Sequence, residues 1–158
     1  MNTLEKTLFV VTLGAGIVAS TAFAASHADK AAADAVKARH AQMQMVSYHI
    51  GVLGGIAKGE APYDSAVVDA AANNLAALAS MSHATLWVEG SEQGAVEGSR
   101  AKPEIWSDSA GFEAKFNDMK MAASALVGAA DAAAVGAGMG ALGGSCKGCH
   151  ETYRGPKN

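Results

Sequence analysis

Four stretches of this chain place a small or apolar residue at alternating steps of three and four, and this spacing constrains the fold more than any other feature. It marks one face of an α-helix. The four stripes are Ala32, Val36, Arg39, Met43, Val46, Ile50, Leu53 and Ala57; Val68, Ala71, Leu75, Leu78 and Ser82; Phe112, Phe116, Met119, Ala123, Leu126 and Ala130; and Val135, Met139, Leu142, Cys146, Cys149 and Tyr153. No strand pattern competes with them, so the chain is predicted to be all-α.

Turn residues separate the stripes and limit the helices. The expected helices cover about 26–58, 65–82, 103–130 and 131–154. Gly59 and Pro62 are stop signals, and Asp64 and Asp131 are suited to cap the helices that follow them. Residues 83–102 are polar and punctuated by glycine, which predicts a long surface loop. Four amphipathic helices with otherwise short connections indicate an antiparallel four-helix bundle.

The N-terminus predicts export. A weakly positive start is followed by an uncharged apolar run that ends in Ala22-Phe23-Ala24, a typical cleavage site, so residues 1–24 are expected to be a signal peptide. The single mature domain then covers 25–158, and its expected location is the periplasm. An uncleaved membrane anchor is the alternative. The formal net charge of −3 gives no reason to expect nucleic acid or an anionic membrane surface as a partner.

The last helix ends in a C-x-x-C-H motif that holds the only two cysteines of the chain, Cys146 and Cys149, followed by His150. Residues three apart share one helix face, and the next residue lies about 100° further round. This arrangement is typical of covalently attached haem c, with two thioether bonds and the histidine as proximal iron ligand. A disulfide is the alternative in an exported protein, but so short a loop would add little stability and would leave His150 unexplained.

A second motif lies just upstream and is expected to be without function. Residues 138–143 satisfy G-x-G-x-x-G, but no strand precedes them and the C-x-x-C-H motif follows at once. The glycines are expected either to let another helix or the haem edge approach closely, or to reflect drift in a sequence rich in alanine and glycine.

The chain resembles the class II cytochromes c, which include cytochrome c′. The resemblance extends over residues 26–154 and is most specific in "CKGCHETYR". The segments "KGEAPYD" and "KPEIWSD" are also similar to family segments. An arginine in the first helix with the distal haem residue four positions later is a further family feature, matched here by Arg39 and Met43.

The residues themselves also single out Arg39 and Met43. Arg39 is a charge on an apolar stripe, and a buried arginine needs an anion, which a haem propionate would supply. Extension of its side chain to solvent is the alternative. Met43, one turn further along, would give a Met/His-ligated iron with a raised reduction potential. A methionine at core spacing that only fills space is the alternative.

Two functions therefore remain open for the iron. In the first, Met43 and His150 are its axial ligands and the protein is a one-electron carrier. In the second, which the resemblance to cytochrome c′ implies, the distal site is open and binds small gases such as nitric oxide or carbon monoxide. Neither version predicts an enzyme. The expected partners are a periplasmic or membrane redox protein and a second copy of the chain, since family members are often homodimers.

Overall fold

The computed structural model describes residues 16–157, with the side chains from residue 27 onward. The predicted cleavage site lies outside the described side chains, and residues 1–15 of the predicted signal peptide lie outside the description altogether. The helices are α1 (Gly16–Ala57), α2 (Ser65–Ala79), α3 (Glu104–Ser107), α4 (Ser109–Ser124) and α5 (Ala132–Tyr153). Within the described residues there is no β-strand, and no helix is long and apolar enough to cross a membrane.

The four long helices form the predicted antiparallel bundle. α1 packs against α2 and α5, and α4 packs against the same two helices, so that the four surround one core. The short connections follow the expected turn chemistry. Gly59 has a positive φ of 74°, Asp64 accepts hydrogen bonds from the backbone N–H groups at the start of α2, and Asp131 accepts one from Ala134 N–H.

The stripes predicted from the sequence face this core. Every stripe residue that lies in a helix is buried or half-buried, and only Ser82 and Ala130, which follow helix ends, are exposed. The first helix buries a second row as well, at steps of seven: Ala35, Gln42, His49 and Ile56. The second row arises because α1 contacts two neighbouring helices, and one stripe is too narrow for both.

The predicted third helix, 103–130, is wrong in two respects. It is broken at Asp108, which ends the single turn of α3 with φ −129° and ψ 56° and then caps α4 by accepting a hydrogen bond from Gly111 N–H at 3.1 Å. Its Oδ2 also accepts a bond from the Tyr153 hydroxyl at 2.6 Å. A side chain that satisfies a new helix start makes the break favourable. The helix also ends early, at Ser124.

The other helices differ from expectation at their ends. α1 already includes Gly16, the first described residue, and so extends well before 26, and α2 stops at Ala79, where Ser80 caps it. The segment between α2 and α3 therefore covers 80–103, slightly more than the predicted loop. It is attached to the end of α5, because Ala101 and Arg154 form an antiparallel bridge.

Candidate haem site

One cavity of about 540 Å³ lies between α1 and the C-terminal half of α5, with α4 and the long loop at its sides. Its size is typical of cofactor pockets. All five residues singled out in the sequence line it: Arg39, Met43, Cys146, Cys149 and His150. Most of the other lining side chains are apolar, among them Val36, Val46, Ile50, Ile105, Phe112 and Phe116. The bundle therefore brings the predicted site residues to one place.

The two cysteines are half-buried free thiols. They lie on the stripe of α5 that continues from Leu142 and ends in Tyr153, so the helix turns both toward the cavity. Burial, and then the neighbouring Cys146, raise the pKa of Cys149 to about 11. Two thiols that share one cavity are suited to hold one flat group by covalent bonds at two points.

His150 follows the second cysteine and is also half-buried. Burial lowers its pKa, and the nearby charges of Arg154 and Arg100 lower it further. The low pKa favours the neutral imidazole, the form that coordinates a metal. His150 can therefore supply a ring nitrogen to an iron in this cavity.

Arg39 is a buried cation, with 4% of its surface exposed, so its predicted alternative, extension to solvent, is wrong. Its Nη2 donates a hydrogen bond to the Ser91 carbonyl at 2.9 Å, and its guanidinium carbon lies 4.6 Å from the centre of the Trp87 ring. Its Nη1 is buried and has no hydrogen-bond partner among the described residues. Burial lowers the pKa of Arg39 to about 10, which still leaves it charged at neutral pH.

The charge of the cavity fits an anionic cofactor. Arg39, Arg100 and Arg154 line it, and none of the described lining residues is a carboxylate. A buried arginine with a free N–H needs an anion. The cavity thus combines apolar walls, cationic side chains, two thiols and a neutral imidazole, which is the set of groups that a haem with its two propionates requires.

Met43 lines the cavity from α1 and is half-buried. Met45, two residues further along α1, is 48% exposed. Two histidines of α1 could also supply an iron ligand, and they differ in position. His40 is exposed and lines the cavity, whereas His49 is buried outside it. Met43 therefore supplies a half-buried thioether to the α1 wall, and His40 is the more exposed of the two residues.

The long loop contributes more than the sequence indicated. Trp87 lines the cavity and contacts Phe112, with 4.7 Å between the ring centres. His83 is half-buried against Phe116, with 4.4 Å between the ring centres. Trp106 joins α3 to the loop, since its Nε1 donates to the Trp87 carbonyl at 2.9 Å. Loop residues carry no periodic pattern, so neither position was predictable.

A four-helix bundle with both thiols and the histidine of a C-terminal C-x-x-C-H motif in one cationic, apolar cavity defines the class of c-type haem proteins. The family model of cytochrome c′ matches residues 34–154. The chain belongs to the cytochrome c′ family, and its cofactor is covalently bound haem c with its iron.

Individual relatives agree with this assignment. The chain is 44% identical over 121 residues to cytochrome c-554 of Cereibacter sphaeroides, an overlap of 75% of this chain and 91% of the relative. A cytochrome c′ structure from Rhodobacter sphaeroides is similar with a TM-score of 0.74 and 36% identity, covering 80% of this chain and 98% of the other. A nitric oxide complex of a mutant cytochrome c′ from Alcaligenes xylosoxidans matches with a TM-score of 0.65 and 36% identity. The match covers 78% of this chain and 95% of the other. The family supports a c-type haem protein that carries electrons or binds a gas.

Proposed function

We propose that the protein is a periplasmic one-electron carrier in which Cys146 and Cys149 attach the haem and His150 and Met43 are the axial iron ligands. The observation that carries the proposal is that Met43 on α1 and His150 on α5 line the same cavity as both thiols. When bound, the haem supplies an iron that alternates between the ferric and ferrous states. The expected partner is a periplasmic or membrane redox protein, and no enzymatic activity is proposed.

Each residue has a defined task in this proposal. The thiols fix the cofactor at the end of α5, so that it stays in place when an axial bond weakens. The neutral imidazole of His150 binds the iron from α5, and the thioether of Met43 binds it from α1. A methionine ligand raises the reduction potential, and an iron with two fixed protein ligands changes its geometry little when the electron arrives. Arg39 balances the charge of a propionate.

The substitution Met43→Leu tests the distal ligand, because leucine keeps nearly the same volume and removes the sulfur. We expect the wild-type protein to have a low-spin absorption spectrum in both redox states, and the variant to become high-spin. Met139→Leu is the matched control, since Met139 is another half-buried methionine that does not line the cavity. An unchanged spectrum in Met43→Leu would make Met43 a core residue and not a ligand.

Covalent attachment has its own test. Haem should remain with the wild-type protein after extraction with acidified acetone, and should be extracted from a Cys146→Ala/Cys149→Ala variant that has been loaded with free haem. Extraction from the wild type would contradict the assignment of both cysteines.

Gas binding at an open distal site is the second candidate. Two observations favour it: the walls near Met43 are apolar, formed by Val36, Val46 and Ile50, and one structural relative is a nitric oxide complex. Carbon monoxide added to the ferrous protein distinguishes the two functions. A rapid spectral change in the wild type favours gas binding, whereas a change seen only in Met43→Leu favours the electron carrier.

A further inference from the structure

A second, shallow cavity of about 310 Å³ lies beside His150 and outside the haem cavity. Three cations line it, Arg100, Lys147 and Arg154, together with one carboxylate, Glu151. His150 and the two arginines line both cavities, so the imidazole separates the haem cavity from this outer one. We call the outer cavity the proximal pocket. Its side chains carry a net positive charge in a protein whose overall charge is −3.

The arginines of the proximal pocket are available to a ligand. Arg100 is held in place because its Nε and Nη2 both donate to the Gly155 carbonyl, at 2.9 and 2.7 Å, and its Nη1 has no partner among the described residues. The exposed Arg154 guanidinium makes no hydrogen bond or ion pair within residues 16–157. A fixed guanidinium and a free one therefore line the same pocket, and guanidinium N–H groups are donors that proteins use to bind oxyanions.

The one carboxylate that lines the proximal pocket lies next to a lysine. Glu151 lies 3.7 Å from Lys147 Nζ, and both side chains are more than half exposed, at 65% and 75%. Lys147 balances the charge of Glu151, so the positive charge of the two arginines is not balanced within the pocket. An anion that enters the pocket therefore meets attraction from both arginines and little repulsion.

His150 adds a donor to the same pocket. Neither ring nitrogen makes a hydrogen bond with any residue in the described part of the chain. A metal-bound histidine almost always donates its other N–H to an acceptor, which fixes the ring and raises its basicity as a ligand. In this chain no described carbonyl or carboxylate fills that role, and the groups around the ring are cations.

We propose that the proximal pocket binds a small inorganic oxyanion, of the class of phosphate, which Arg100 and Arg154 hold and which accepts a hydrogen bond from His150. The effect on the iron rests on the proposed function, because it requires His150 to be the ligand. A bound anion stabilises the ferric state by its charge and by strengthening the imidazole. It must therefore bind the oxidised protein more tightly and lower the reduction potential. A tenfold preference for the oxidised state corresponds to about 59 mV.

The experiment is a redox titration of the holoprotein with inorganic phosphate against chloride, at fixed pH and matched ionic strength. Calorimetry measures phosphate binding to the ferric and ferrous forms directly. We expect the potential to fall with phosphate and to saturate, and the ferric form to bind at least severalfold more tightly. An equal shift with chloride, or no heat of binding, would overturn the proposal.

The variants Arg154→Gln and Lys120→Gln provide the matched comparison. Each removes one exposed positive charge, but only Arg154 lines the proximal pocket. Arg154→Gln should lose most of the phosphate response, and Lys120→Gln should keep it. Equal responses in the two variants would reduce the effect to general screening and contradict a site.

Failure of the proposed function gives a different result. If His150 is not the ligand, His150→Ala will keep the wild-type absorption spectrum, whatever phosphate does. If only the pocket is wrongly assigned, His150→Ala will change the spectrum while phosphate leaves the wild-type potential unchanged.

Discussion

Arg39 is held in the protein by a carbonyl oxygen and an aromatic face, and by no carboxylate within the described residues. Its Nη1 lacks a partner although the side chain is buried. We propose that a haem propionate supplies the missing acceptor, and such a pair would explain why a charge is tolerated on an apolar stripe. We therefore interpret Arg39 as a residue that binds the cofactor, although it lies on the buried face of α1.

We expect Arg39→Met to lower the reduction potential, because loss of a cation beside the cofactor favours the more positive ferric state. The charge-assisted bonds it loses should also cost the holoprotein about 2 kcal/mol of stability. Redox titration and urea unfolding measure the two effects. Arg39→Lys should have a reduction potential close to that of the wild type, because the positive charge remains. It should still be less stable, since an ammonium cannot reproduce the hydrogen-bond geometry of a guanidinium. A potential that is equal in wild type and Arg39→Met would contradict the contact with a propionate.

The burial of His83 should make the free energy of unfolding depend on pH. Burial lowers its pKa, and the nearby Glu113 only partly opposes this. Its Nε2 is buried without a hydrogen-bond partner among the described residues. Because the folded-state pKa lies below the unfolded value of about 6.5, the unfolded chain binds more protons in that range. The free energy of unfolding should therefore fall as the pH drops below about 6.5.

The substitution His83→Leu should flatten this dependence between about pH 7 and 5, because leucine can pack against Phe112 and Phe116 without taking up a proton. Urea unfolding at several pH values measures the slope. An identical slope in His83→Leu would assign the pH dependence to other groups.

At the scale of elements, the sequence predicted the features that follow from the helical period: the buried face of each long helix and the residues that lie on it. The stripes fix which face of each long helix is buried, and a C-x-x-C-H motif at the end of the last stripe has to face the same interior. Arg39 and Met43 could be found because they lie on a stripe. The break at Asp108 could not, because it depends on the Tyr153 hydroxyl, which is 45 residues away in the chain.

The glycines of α5 illustrate the same limit. The sequence favoured close approach, with drift as the alternative, and the structure gives different surroundings to neighbouring glycines. A Cβ at Gly138 would fall on the buried Leu126 side chain, which is 1% exposed, whereas a Cβ at Gly140, Gly143 or Gly144 would meet nothing within 4 Å. Only the packing partner distinguishes them.

We expect Gly138→Ala to destabilise the protein by about 1–3 kcal/mol, the usual cost of overpacking. Gly140→Ala should instead stabilise it, by up to about 1 kcal/mol, because alanine loses less backbone entropy in a helix. The two substitutions are chemically identical and lie two residues apart, so each is the control for the other. Urea unfolding gives both values, and a stabilising Gly138→Ala would show that Leu126 can move aside.

At the scale of the whole molecule, the long loop and the end of α5 form one unit around the haem cavity. Lys102 N–H donates to the Tyr153 carbonyl at 3.0 Å, and Gly155 N–H donates to the Arg100 carbonyl at 2.8 Å. The Arg100 side chain returns two bonds to Gly155. These bonds join segments about 50 residues apart in sequence, which is why no local pattern predicted them. They fix the helix end that carries His150.

Arg100→Met should loosen this unit while it keeps the aliphatic part of the side chain over the loop. Loss of both bonds to the Gly155 carbonyl should cost about 1–3 kcal/mol and should raise hydrogen exchange at the Lys102 and Gly155 amides together. Exchange in α2 should stay unchanged, because none of its hydrogen bonds involves Arg100, Lys102 or Gly155. Lys120→Met is the control for loss of charge. If the two amides keep wild-type protection in Arg100→Met, the backbone bridge alone holds the loop to α5, and the arginine serves the proximal pocket only.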